Sequence, residues 1–266
     1  MRILSIGNSF SADSQAWARE IALFDGEDMY LGNLYIGGCS LERHMQNVKS
    51  GEPAYDYYRN NKLIGLSSIE TAIMDEEWDY ITLQQASGFS GVYETFMPFI
   101  GELAAYARKK APNAKLVINQ TWAYEKTSTH PAFDTYDRSQ KTMHERLSDA
   151  YRQAAASIGC DIIPVGESVR IARLNEQFDP EKGGIPLTRD GFHLSFTHGR
   201  FLAGAVWYEF FTGRDVRENR FVPYRMEYMG KNAETGADIL RPVACFTPTD
   251  EQMRVLREAA HQAVNQ

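Results

Sequence analysis

The chain has little cysteine. Cys39, Cys160 and Cys245 are the only three in 266 residues, with no Cys-x-x-Cys pair and no Cys/His cluster. That excludes a disulfide framework and supplies no zinc-type ligand spacing, so they read as core or loop thiols of a reducing compartment. Positive charge is also short. The 28 Lys and Arg against 35 Asp and Glu leave a net charge of −7, which argues against nucleic acid as a partner. No uninterrupted apolar run approaches the roughly 18 residues of a membrane span. The Gly-x-Ser-x-Gly elbow and the Walker A loop are missing, and Gly37-Gly38 and Gly183-Gly184 are too short for a dinucleotide fingerprint. His44, His130, His144, His198 and His261 have no ligand-type spacing and read as surface or structural, so no metal or other cofactor is expected. An apolar run follows Met1-Arg2 directly; no signal peptide is read in the chain as numbered, and a cytoplasmic location is expected.

Apolar material, by contrast, is ample: 43% of residues are hydrophobic and 12% aromatic, with an ordinary 24% charged. Five short apolar runs, at 3–6, 29–36, 79–85, 115–119 and 161–165, alternate with segments of helical period. Trp17, Ile21 and Phe24 mark one helix face, Val92, Phe96, Phe99 and Leu103 another, and Met143, Leu147, Ala150, Ala154 and Ile158 a third. Further helices are expected after Ser40, over 167–174 and 197–211, and after the cap at Thr249. Residues 50–65, polar and rich in tyrosine, suggest no firm element, and 214–249 are poorly periodic. Within the latter, 214–220 read as a solvated run and 221–246 as a candidate pocket rim or oligomer contact. Strands alternating with helices predict an α/β protein of three α/β/α layers. The simplest arrangement is a five-stranded parallel sheet in the flavodoxin-like order 2-1-3-4-5. One domain over 1–266 is expected, with about 214–266 a C-terminal extension packed on it.

In such a sheet the carboxyl ends of all parallel strands share one edge, where ligands bind. The first strand ends in Gly7-Asn8-Ser9, and a helix follows. A serine there has the position of a nucleophile beside free helix N–H groups, although Gly, Asn and Ser are also ordinary turn and cap residues. A serine nucleophile needs a base and the base an orienting carboxylate. Asp190-x-x-His193 supplies both on one loop, with a spacing that brings the carboxylate to Nδ1 and leaves Nε2 for the hydroxyl. Gly38 follows the second strand, Gln84 and Gln85 end the third, and Gln120 and Trp122 follow the fourth.

Together, Gly7-Asn8-Ser9, the glycine after strand 2 and the terminal Asp190-x-x-His193-Leu194-Ser195 resemble the SGNH (GDSL-type) hydrolase superfamily. The run Ile6 to Ser11, with Leu83-Gln84-Gln85 and Thr121-Trp122-Ala123-Tyr124, is similar to a bacterial branch catalogued as a domain of unknown function. The resemblance covers about residues 3–211. It implies a three-layer fold and ester hydrolysis without metal or cofactor. Carried over by motif, Ser9 is the nucleophile, His193 the base and Asp190 its orienter, with the N–H groups of Ser9 and Gly38 as oxyanion donors. One block departs. The superfamily usually has Gly-x-Asn-Asp, with asparagine as third oxyanion donor, where this chain has Gln84-Gln85-Ala86-Ser87. Gln85 is preferred over Gln84 as the substitute. Gln84, Gln120 and Trp122 are expected to contact substrate, since amides beside an aromatic ring suit a sugar. The implied substrate is a small acyl ester, such as an O-acetyl group on a carbohydrate. A lipid esterase or thioesterase, or a carbohydrate-binding protein with little turnover, are the alternatives.

Overall fold

The computed structural model describes residues 1–231, 238–243 and 248–266. Cys245, and part of the 221–246 stretch, lie outside the described residues. The chain opens with β1 (Arg2–Gly7), α1 (Ser9–Gln15), α2 (Ala18–Phe24), β2 (Tyr30–Tyr35) and α3 (Leu41–Ser50). Next come β3 (Tyr55–Arg59), β4 (Lys62–Ser67), α4 (Ile69–Met74), β5 (Tyr80–Leu83), α5 (Phe99–Lys110) and β6 (Lys115–Asn119). The rest comprises α6 (Gln140–Ile158), β7 (Asp161–Ile163), α7 (Val165–Ala172), α8 (His198–Thr212), β8 (Arg225–Lys231), β9 (Asp238–Val243) and α9 (Asp250–Val264).

The main sheet has seven strands in the order β4-β3-β2-β1-β5-β6-β7, which corrects the expected count of five and the order built on it. Strands β2, β1, β5, β6 and β7 run parallel, and β3 and β4 extend the β2 edge as an antiparallel hairpin. That hairpin comes from the stretch left without an assignment. Its tyrosine content hid a period of two, with Tyr55 and Tyr57 buried and their neighbours less so. Its turn is Asn60-Asn61, both at positive φ (46° and 62°), as a two-residue hairpin turn of the favoured mirror type requires. Strands β8 and β9 form a separate two-stranded sheet.

Helices flank the main sheet. Helices α3, α4 and α5 pack together, as do α1, α2, α7, α8 and α9. Covered strands need no alternation, and Ile3, Leu4, Ile6, Leu34, Ile81, Leu83 and Ile118 are all fully buried. Two helical faces end differently from the periodic reading. At α2, Trp17 and Ile21 are buried as expected, but Phe24, the last residue of the helix, is 54% exposed rather than core. Proline at position 98 delays α5, leaving Val92 and Phe96 in the turns before it, although Phe96 is still buried. Among the described residues, no helix is long and apolar enough to cross a membrane.

Candidate active site

The site begins at the end of β1. Asn8 has extended backbone angles and caps α1, its Oδ1 accepting the Phe10 N–H at 3.0 Å while Ser11 Oγ accepts the Asn8 N–H at 3.1 Å. A Cβ on Gly7 would fall 2.3 Å from Ser11 Oγ, so only glycine lets this cap close over the strand end. Ser9 is thereby the first helical residue, whose N–H has no partner within the helix.

The second half lies 184 residues away in sequence. Thr188 bridges Leu194 and the Arg189 N–H donates to the His193 carbonyl at 2.9 Å, closing a tight loop. Within it, Asp190 Oδ1 accepts the backbone N–H groups of His193 (2.7 Å) and Phe192 (3.1 Å), and Oδ2 lies 2.6 Å from His193 Nδ1. His193 Nε2 is 2.9 Å from Ser9 Oγ. With Nδ1–H donating to the Asp190 carboxylate, the Nε2 lone pair faces the serine hydroxyl. Partial burial works to raise the Asp190 pKa, but hydrogen bonds from the His193 ring and the two backbone N–H groups, with the His193 charge, outweigh it and hold the carboxyl at about 2. Gly191 sits at φ +90°, where a Cβ would meet Ser128 Cα at 2.9 Å, and its carbonyl accepts the Glu125 N–H at 2.8 Å.

The loop is fixed to the serine helix chiefly by a residue that sequence reasoning missed. Asp13, fully buried on α1, accepts the Leu194 N–H at 2.8 Å, Arg200 Nε at 2.7 Å and Arg189 Nη1 at 3.1 Å from each oxygen. The available signal was spacing: Asp13 falls one helical turn after Ser9, on the same face. Trp122 Nε1 donates to the Phe192 carbonyl at 2.7 Å, and its ring stacks on Phe10 at 4.2 Å. His130, read as surface or structural, packs edge-on against Phe192 at 4.8 Å, and Phe192 in turn lies 4.2 Å from the His193 ring. Burial, and then the neighbouring His193 charge, lower the His130 pKa, with Asp190 opposing them.

Gly38 is exposed in the loop after β2 at φ +64°, and Asn8 Nδ2 holds the next carbonyl, that of Cys39, at 3.0 Å. The glutamine expectations need correction. Gln85 is 1% exposed, and both ends of its amide serve its own surroundings: Nε2 donates to the Thr95 carbonyl (2.9 Å), and Oε1 accepts the N–H groups of Leu41 (3.1 Å) and Ala86 (2.8 Å). It braces buried backbone and is not presented as an oxyanion donor. Gln84, Gln120 and Trp122 are likewise buried, with their polar groups engaged inside the protein. Gln84 is enclosed between Asn119 and Asn8, Gln120 Oε1 accepts the Glu167 N–H near the start of α7 at 3.1 Å, and Trp122 is fully buried. Their side chains turn into the interior, which a strand-end position alone does not reveal.

A cavity of about 850 Å³, lined among others by Glu125, Gln140, His144, Arg173 and Phe178, includes neither Ser9 nor His193. Glu209, Asp215 and His261 bring potential metal-ligating atoms within 4.8 Å of one another, but His261 Nδ1 and Asn265 Nδ2 already bond Glu209 Oε1, each at 2.7 Å.

This sheet and its helices have the fold of SGNH hydrolases. Two distant structures show it. A proposed SGNH hydrolase from Slackia heliotrinireducens is 24% identical, covers 79% of this chain and 97% of its own, and has a TM-score of 0.51. A lipase/acylhydrolase from Enterococcus faecalis is 15% identical, with coverages of 80% and 96% and a TM-score of 0.50. The chain belongs to the family described as a domain of unknown function, DUF4886, whose profile matches residues 2–238. A member of that family from Bacteroides uniformis is 34% identical over 100% of this chain and 95% of its own, with a TM-score of 0.85. No curated protein matches the sequence.

Proposed function

We propose that the protein is a serine esterase that removes small acyl groups, of the O-acetyl kind, from carbohydrates. The observation that carries the reading is the unbroken line Asp190 Oδ2–His193 Nδ1 (2.6 Å), His193 Nε2–Ser9 Oγ (2.9 Å). In this mechanism His193 takes the Ser9 proton as the hydroxyl oxygen attacks the ester carbonyl. Asp190 steadies the imidazolium that forms. The N–H groups of Ser9 and Gly38 stabilise the oxyanion. The intermediate collapses to an acyl-enzyme as His193 returns the proton to the departing alcohol. Water, activated by the same histidine, then releases the acid. The fold shared with the lipase/acylhydrolase from Enterococcus faecalis supports the reaction class. The carbohydrate assignment extends that class by the superfamily resemblance.

The test is hydrolysis of p-nitrophenyl esters and acetylated oligosaccharides across acyl lengths, with Ser9→Ala and His193→Ala beside the native chain. Acetyl esters should be preferred, and each substitution should lower kcat by about 10⁴- to 10⁶-fold. Turnover that persists in Ser9→Ala refutes the nucleophile. Preference for long acyl chains refutes the small-acyl assignment.

A further inference from the structure

Behind the serine turn, four buried side chains form a line of hydrogen bonds whose direction is set at one end. The Trp207 indole N–H can only donate, and it lies 3.0 Å from Asn119 Oδ1. That fixes the Asn119 amide, so its Nδ2 faces Gln84 Oε1 at 3.0 Å and Ser14 Oγ at 3.2 Å. Gln84 Nε2 must then point to Asn8 Oδ1, at 2.7 Å, and Asn8 Nδ2 is left facing the Cys39 carbonyl at 3.0 Å. Trp207, Asn119, Gln84 and Asn8 are each no more than 1% exposed. Water therefore cannot substitute for any member, and turning one amide over would set two donors or two acceptors face to face. Asn8 is the branch point: the same Oδ1 that receives Gln84 caps α1 behind Ser9, while its Nδ2 holds the loop carrying Gly38.

We infer that Gln84 is a positioning residue for the reaction: by fixing the orientation of the Asn8 amide, it sets the Gly38 loop against Ser9. The inference rests on the proposed esterase reading, in which Gly38 N–H is an oxyanion donor. It assigns the residue in the departed block a holding role in place of a donating one. Gln84→Glu tests this with little change of shape. A neutral glutamic acid still donates one O–H to Asn8 and accepts from Asn119, whereas a carboxylate can only accept. Burial raises the pKa of such a carboxyl.

The expected result is a kcat for Gln84→Glu near native at low pH, falling relative to native by about 10- to 100-fold as the carboxyl ionises, with KM unchanged. Amide NMR supplies a readout that does not depend on turnover: the Gly38 N–H resonance of the variant should shift with the same midpoint, and that of the native chain should not. If Gln84→Glu does not fold, Asn119→Ala should lower kcat at least tenfold at constant KM, because Gln84 loses its orienting partner. A pH-independent kcat ratio and a Gly38 resonance that follows the native one overturn the inference, even if thermal stability drops. Those results leave the esterase reading intact so long as Ser9→Ala is inactive. Turnover in Ser9→Ala overturns that reading instead.

Discussion

Replacing Asp13 by alanine should detach the histidine loop from the serine helix. The carboxylate is 1% exposed and is the common partner of Arg189 (24% exposed), Arg200 (14% exposed) and the Leu194 N–H. Removing one member of a buried ion pair typically costs about 3–5 kcal/mol, because the remaining charge loses its partner without regaining full hydration. Here both guanidiniums reach some solvent, and both keep the Phe196 ring at 4.7 Å. The lower end, about 3 kcal/mol, therefore applies. At roughly 2–4 °C per kcal/mol for a chain of this size, the melting temperature should drop by about 6–12 °C. The loop bearing Asp190 and His193 should also drift from Ser9, and a displacement near 1 Å lowers turnover by about 100-fold. Calorimetry and steady-state ester kinetics on the same preparation measure both effects. A melting temperature within about 2 °C of native, with unchanged kcat, would refute the claim that this cluster joins the two halves of the site.

Two further perturbations follow from the same geometry. Asp190→Asn should leave the loop folded but let His193 adopt the wrong tautomer, lowering kcat by about 10⁴-fold with little change in KM. With its pKa depressed to about 2, Asp190 should stay ionised and orienting down to that range; a native to Asp190→Asn kcat ratio that collapses already near neutral pH would contradict this. Glu167 is held at about 2 mainly by the hydrogen bond from His144, with burial opposing and Arg170 assisting. A depressed carboxyl stabilises the fold above its ordinary value of about 4.3 and loses that contribution as pH falls toward 2. Urea denaturation from pH 5 to 2 should therefore show a shallower acid loss in Glu167→Gln than in the native chain.

What could be read from the sequence was local. Ser9 was placed in the turn between the first strand and a helix, and the Asp190–His193 contact spans one tight turn, so residue type and spacing carried both, although Asn8 was not singled out as the cap. The parallel strands announced themselves as apolar runs because they are covered on both faces. The β3–β4 hairpin escaped notice because tyrosines and charged residues blurred its alternation, although Asn60-Asn61 was a turn signal. What only the tertiary structure decided was direction. Gln84, Gln85, Gln120 and Trp122 all stand near strand ends, but whether such a side chain enters the cleft or the interior depends on donors and acceptors from distant elements, here Trp207, Thr95, Leu41 and Glu167. The joining of Ser9 to His193 is likewise tertiary. Asp13 needed cations that the chain supplies only 176 and 187 residues later, and a buried carboxylate has no stable place until they arrive.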